Sequence, residues 1–358
     1  MKIIFLYLII VLNSFQLSYS QNKTKVVKMD SLNWQIDKGT SSFETFDNRQ
    51  TLLLNGKATL KNLVLSNGII EVDVYANSKR SFAGIIFRKK QNTMEEVYMR
   101  LHKSNQPDAV QYSPTYNKEL TWQLYKEYQA NVNFKNKGWN TLKIEVFNNN
   151  ATIFVNNEKV LVVDQLKTTH NEGAIGLFAL FNNRFSNFRV TKKNTRQKIK
   201  DKDQKDINSN IISKWSITKA FPFERQKIRF NYFSKQNYKT VLTEKSGLLP
   251  FSKYIEKPQS GNFEQNAEAY AVAYLDIESN LSKKMLFSFD YSDKIIIYLN
   301  GEAIYEGNNA FRSKGDQFQG HIDINANKLY LDLKKGTNTL HCVVIDKANG
   351  WGVIGKLE

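Results

Sequence analysis

Glu71 and Asp73 stand two residues apart in the run Gly68-Ile69-Ile70-Glu71-Val72-Asp73-Val74, which alternates apolar and polar residues. Strand side chains alternate between faces, so this spacing puts both carboxyls, with Tyr75, on one side. Two carboxyl groups about 5 Å apart are what retaining glycoside hydrolysis uses. In the next run Phe82, Gly84, Ile86 and Arg88 share a face. In the one after, Tyr98, Arg100 and His102 share a face, with Val97, Met99 and Leu101 opposite. If the three runs are neighbours in one sheet, Glu71, Asp73, Arg88, Tyr98, Arg100 and His102 form one charged patch. Such a face is too polar for a core. Arginine forks suit paired hydroxyls or a uronate carboxylate. An ion-pair network across an exposed sheet would use the same residues, and the two readings stand level.

The connection from Pro107 to Tyr128 adds Asp108, Gln111, Tyr112, Tyr116, Trp122, Gln123, Tyr125 and Tyr128. Rings stack on the apolar faces of pyranoses and amides bond hydroxyls, which makes this the composition of a sugar subsite. Ordinary hairpin packing would also draw aromatics. The expected ligand-binding set is Asp73, Arg88, Tyr98, Arg100, His102, Gln111, Tyr112, Trp122 and Gln123. An acid/base pair, if there is one, would be Glu71 or Asp73 with His102. Trp34, Trp139 and Trp215 each open a strand-rich stretch and are expected in the core.

The elements that must carry these residues are short strands. Ile69–Tyr75, Phe82–Arg88, Glu96–His102, Thr141–Phe147, Thr152–Val155 and Gly173–Phe181 alternate, with turn-formers between them. The alternation stops between Thr191 and Asn210, where seven Lys or Arg interleave with Asp201, Asp203 and Asp206. That composition reads as a solvated linker. Ala269–Asp276, Met285–Phe289, Ile295–Leu299, Lys328–Leu333 and Thr339–Ile345 resume the pattern. Asn300-Gly301 is a type I′ hairpin signal. Cys342 shares a face with Leu340 and Val344 and reads as a core residue. The fold class is therefore all-β, two tandem antiparallel sandwiches. The expected division is a signal peptide at 1–20, a first sandwich at 30–191, a linker at 192–210 and a second sandwich at 211–358.

Lys2, the apolar run Ile3–Leu12 and Ser18-Tyr19-Ser20 have the order of a secretory signal cleaved before Gln21. The expected location is periplasmic or extracellular, with no membrane insertion. The single cysteine allows no intrachain disulfide. The net charge of +17 allows an acidic partner, but its cations are scattered rather than gathered in a stripe, which argues against nucleic acid. Four histidines and one cysteine, far apart, give no zinc spacing. No Ser-His-Asp motif and no phosphate-binding glycine loop is present. No cofactor is expected. A structural calcium is allowed, although no loop declares ligands for it.

With the strands placed, residues 30 to 191 resemble the concanavalin A-like lectin/glucanase superfamily, in the branch of laminin-G-like and 3-keto-disaccharide-hydrolase-like domains. The resemblance rests on Gly68-Ile69-Ile70-Glu71-Val72-Asp73-Val74, Phe82-Ala83-Gly84-Ile85-Ile86-Phe87-Arg88, Val97-Tyr98-Met99-Arg100, Gly138-Trp139, Gly173-Ala174-Ile175-Gly176-Leu177 and Phe185-Ser186-Asn187-Phe188-Arg189. Retaining glucanases of this superfamily carry Glu-x-Asp-x-Glu, or one extra residue, on one strand. Here Tyr75 and Ala76 stand where the third acid should be, which argues against that chemistry. The second half is similar to galactose-binding-like jelly rolls, on Phe289-Asp290-Tyr291-Ser292-Asp293, Ile297-Tyr298-Leu299-Asn300-Gly301 and Leu331-Asp332-Leu333-Lys334-Lys335-Gly336-Thr337-Asn338. The resemblance implies a glycan-binding protein, a glycoside hydrolase or lyase, or an adhesion or scaffolding module that binds protein. The first is the leading expectation, with the concave face of the first sandwich as its site and a glycan, an acidic one included, as its partner.

Overall fold

A computed structural model describes residues 23–193, 210–258 and 267–358. Its first group of strands is β1 (Thr24–Val27), β2 (Trp34–Phe46), β3 (Arg49–Leu65), β4 (Gly68–Ala76), β5 (Phe82–Lys90), β6 (Thr93–Arg100), β7 (Val110–Tyr116), β8 (Glu119–Leu120), β9 (Gln129–Ala130), β10 (Gly138–Phe147), β11 (Asn150–Val155), β12 (Glu158–Val163) and β13 (Gly173–Lys192). The strand expected from Gly173 to Phe181 is thus the first half of a longer one.

That long strand organises the sandwich. Ala174–Leu180 of β13 lies between β3 and β5, while Arg184–Lys192 pairs with β4. One half of the sheet runs β3-β13-β5-β6-β7, with β8 and β9 at its edge. The other runs β13-β4-β10-β11-β12. One apolar core lies between them, with Val72, Val74, Leu142 and Ile144 from one half and Ile85, Phe87, Val97 and Met99 from the other. Alternate residues on these strands therefore face outward, on two different sides of the sandwich. At the centre of one outward face β5 has Gly84, where a Cβ would meet the Val97 carbonyl oxygen at 2.2 Å and the Tyr98 Cα at 2.6 Å.

The second group is β14 (Lys214–Ile217), β15 (Phe221–Pro222), β16 (Lys239–Leu242), β17 (Leu249–Pro250), β18 (Ala269–Ser279), β19 (Lys283–Ser292), β20 (Lys294–Leu299), β21 (Glu302–Asn308), β22 (Asn327–Leu333), β23 (Gly336–Asp346) and β24 (Gly352–Leu357). A sheet in the order β16-β14-β18-β23-β20-β21 packs on a smaller one, β17-β24-β19-β22, over Trp215, Phe287, Ile297, Cys342 and Trp351. The chain is all-β, built of antiparallel sandwich sheets. The hairpin expected at Asn300-Gly301 joins β20 to β21, with φ of 51° and 89°. A second apolar cluster covers the outer face of the larger sheet. There the one-turn helix α1 (Phe230–Phe233) lays Phe233 on Tyr298 and Val343.

Trp34 and Trp215 are buried, as expected. Trp139 is not: it faces outward on β10, half-buried, and its indole N–H donates to Asp47 at 2.7 Å. The expected signal segment 1–20 lies outside the described residues. So does the linker, apart from Lys192 and Lys193 at the end of β13 and Asn210. Among the described residues no helix is long and apolar enough to cross a membrane, and no group of three or more His, Cys, Asp or Glu could hold a metal ion.

The two sandwiches touch along the chain that follows β7. The Gln123 amide N–H donates to the Asn349 carbonyl at 3.1 Å, and the Ile322 N–H donates back to the Gln123 carbonyl at 3.1 Å. Tyr125 donates to Glu244 at 2.7 Å, and Leu124 packs on Gly350 and Gly352. Lys257, fully buried, bridges Glu119 of the first sandwich at 3.0 Å and Asp346 of the second.

Candidate functional site

The single charged patch expected from β4, β5 and β6 does not form. β13 lies between β4 and β5, so the two strands belong to different halves of the sheet. Glu71 and Asp73 face outward on one side. Tyr98 and Arg100 face outward on the other. Asp73 is buried and accepts from Arg49 Nη1 at 3.0 Å, Thr141 Oγ1 at 2.7 Å and Asn187 Nδ2 at 3.1 Å. Glu71 pairs with Arg189 at 3.5 Å. These two carboxylates are anchors of a cross-strand network, and the pairing of either with His102 as acid and base is excluded by their positions.

Arg88 also leaves the expected face. The β5–β6 register shifts between Phe87 and Lys90, and Arg88 sits in the bulge with φ of 50°. The bulge turns its side chain inward, where it is 1% exposed and donates to the Asn148 carbonyl. Burial, against the pull of Glu95, lowers its pKa. Tyr112 faces the same interior rather than a rim. It donates to Glu95 Oε2 at 2.6 Å, whose Oε1 accepts from the Thr168 hydroxyl at 2.7 Å. His102 lies beyond β6 on a short 3-10 turn, Leu101–Lys103. Its Nδ1 is 3.1 Å from the Ser81 carbonyl, and burial lowers its pKa.

What the structure does bring together is narrower and includes residues the sequence did not single out. Strand registers align Lys57, Phe178, Gly84, Tyr98, Gln111 and Gln129 in one row across β3, β13, β5, β6, β7 and β9. The bare Gly84 lets Tyr98 lean toward Phe178, with ring centroids 5.9 Å apart. Phe82 lies 6.4 Å from Tyr98 on the neighbouring row. Phe82 and Phe178 are half-buried and Phe181 is exposed. Lys57 reaches Glu96 at 2.5 Å. The Glu96 Oε2 is buried with no hydrogen-bond partner among the described residues.

Arg100 is the hub of this face. It donates to the Asp108 carbonyl at 2.6 Å, to the Tyr98 hydroxyl at 3.2 Å and to Gln111 Oε1. Gln129 donates to the same Gln111 oxygen at 3.2 Å. Gln111 in turn donates to the Trp122 carbonyl at 2.8 Å. Burial raises the Asp108 carboxyl, but the Lys103 hydrogen bond and the Arg100 charge outweigh it and hold the pKa low. Trp122 remains half-buried, its ring 5.9 Å from the Arg100 guanidinium. Gln123, expected at the site, is instead buried between the sandwiches, donating to Gln319 and Gly320 carbonyls at 2.9 and 3.2 Å. Of the expected set, then, Tyr98, Arg100, Gln111 and Trp122 are gathered. Asp73, Arg88, His102, Tyr112 and Gln123 are not part of that cluster. Gln129 and Asp108 lay in or beside the connection that was flagged; Lys57 and Phe178 carry no local signal, because only the register brings them in.

Residues 21–191 match the family model of the 3-keto-alpha-glucoside-1,2-lyase-like domain. Among solved structures the chain is similar to a carbohydrate-binding module from Bacillus subtilis, at 14% identity over 44% of this chain and 96% of that one, with a TM-score of 0.35. It is also similar to a beta-glucanase from Bacillus licheniformis, at 13% identity over 46% and 94%, TM-score 0.32. A galectin from Caenorhabditis elegans aligns at 13% identity over 46% and 99%, TM-score 0.28. No curated protein matches the chain. The first sandwich is thus the part of the chain that matches the 3-keto-alpha-glucoside-1,2-lyase-like domain.

Proposed function

We propose that this protein is exported and binds a glycan on the outward face of β5, β6 and β7. The observation that carries this reading is the preset Arg100. Its guanidinium is held by three acceptors beside Tyr98 and Trp122, with half-buried rings along the same face. A donor fork fixed before the ligand arrives loses little freedom on binding, and flanking rings offer apolar faces to pyranoses. The opposite face offers no free acid for catalysis, because Asp73 and Glu71 are already engaged there. The basic, apolar and small-residue order of the N-terminus supports export. A glycan array probed with the mature chain tests the reading. Specific binding that Arg100→Ala and Phe178→Ala both weaken is the expected result, and no binding at any salt concentration would sink it.

A lyase reading has the family match in its favour. It would need a base on this same face, where Glu96 beside Lys57 is the buried carboxylate. Turnover of a 3-keto-glucoside by the chain, lost in Glu96→Gln, would establish it.

A further inference from the structure

The second sandwich does not stand apart from this face. Past β21 the chain crosses to the first sandwich and brings Phe311 and His321 against Trp122, with ring centroids 5.7 and 5.5 Å away and planes near perpendicular, 85° and 90°. His321 Nε2 lies 3.2 Å from the Gln129 amide, which itself bonds Gln111 and so joins the Arg100 network. The contact is built rather than incidental: Gln123 is wholly buried in it and bonds the Gln319 and Gly320 carbonyls. A Cβ at Gly320 would meet the Gln123 Nε2 at 2.3 Å, so the segment carries a glycine where Gln123 enters. Cations lie on both sides of the seam. The Arg100 guanidinium lies 5.9 Å from the Trp122 ring, Lys126, Arg100 and Lys103 act on His321 with Asp108 opposing them, and Arg312 lies 5.0 Å from the Phe311 ring. Trp122, Phe311, His321 and Gln129 all stay half-buried rather than closed off.

We infer that this seam is a subsite for an anionic sugar unit, to which the second sandwich contributes Phe311 and His321 as one wall. The inference rests on the glycan reading above and gives that site its ligand class and its second half. Trp122, fixed from two sides by Phe311 and His321, is the ring platform. Arg100, Lys103, Lys126 and Arg312 supply the field for the anion, and the Gln129 amide supplies a neutral donor. The anion is a carboxylate or a sulfate on the sugar; both would be drawn by the same cations.

Calorimetric titration of the mature chain against an oligogalacturonate, a sulfated disaccharide and a neutral oligosaccharide tests it. The expected result is tighter binding of an acidic ligand, with Phe311→Ala and His321→Ala each weakening it about tenfold or more, and neutral-ligand binding changed far less. Preference for the oligogalacturonate assigns the carboxylate, and preference for the sulfated disaccharide assigns the sulfate. His321→Gln keeps a polar group and should hold the fold if His321→Ala melts early; Phe311→Ala carries the test independently. Acidic binding that Arg100→Ala weakens but Phe311→Ala and His321→Ala leave unchanged would overturn the seam and leave the glycan reading standing. Absence of binding to all three ligands by the unmodified chain, with none on the array either, would overturn both.

Discussion

Arg100 and Asp73 are both buried and charged, yet they do different work. Asp73 accepts three hydrogen bonds from partners on three other strands, Arg49, Thr141 and Asn187. Removing it leaves those donors without an acceptor, so Asp73→Ala should cost about 1–3 kcal/mol in a urea-melting experiment without touching ligand binding. Tyr112→Phe should likewise destabilise, by about 1 kcal/mol, because Glu95 loses a donor in the interior. The sequence set Tyr98 and Arg100 on one face of β6, whose alternation reads directly, and grouped Gln111 and Trp122 with them by composition, reading β7 as part of a connection rather than as a strand. It misplaced Arg88 for a physical reason. A bulge of one residue inverts the face of everything beyond it, and nothing in the local run Phe87-Arg88-Lys89 announces it.

At the scale of elements, alternation found β4, β5, β6, β10, β11 and the first half of β13 but not β2, β3 or β7, and the glycine at position 84 explains how the site's floor is made. Gly84→Ala should push β5 and β6 apart, since the new methyl has only the Val97 carbonyl and Tyr98 to meet. A lower melting temperature together with weaker binding is expected; full binding at normal stability would mean Tyr98 need not lean over β5. What alternation could not supply is that β13 turns from one half of the sheet to the other, separating β4 from β5. Strand order is non-local information, and the assumption that consecutive runs are neighbours joined two faces that point apart. On the second sandwich, His341 of β23 lies within 4.6 to 6.3 Å of Tyr274, Phe230, Phe233 and Tyr238. Burial pushes its pKa down to about 4. The unfolded chain, with a histidine pKa near 6.5, therefore binds the proton more readily. Stability from this residue is present above about pH 6.5 and is lost as pH falls toward 4. His341→Phe should flatten that limb of the pH–stability curve; an unchanged curve would place the acid sensitivity elsewhere.

In the whole molecule, the two sandwiches share an interface with a buried ion cluster at its heart. Lys257 spans Glu119 and Asp346, and its positive charge survives burial because both carboxylates outweigh the desolvation. Breaking a buried pair leaves charges uncompensated. Lys257→Met should cost about 3–5 kcal/mol and increase protease sensitivity along the seam. A division into two sandwiches was legible from the fading of alternation after Thr191. Their docking was not, because it depends on Gln123, Trp122 and His321, residues about 200 positions apart that carry no shared pattern. In the connection from Pro107 to Tyr128, expected to form a sugar subsite, Tyr125 and Leu124 instead hold the seam, while Trp122 stays half-buried.

The proposed ligand site is the β5–β6–β7 face and not the β4–β10 face. Titration of the array's best glycan into Arg100→Ala and Asp73→Ala, each checked for folding by melting, decides between them. Binding should be weakened about tenfold or more by Arg100→Ala and unchanged in Asp73→Ala. Full affinity in Arg100→Ala with loss in a folded Asp73→Ala would contradict it.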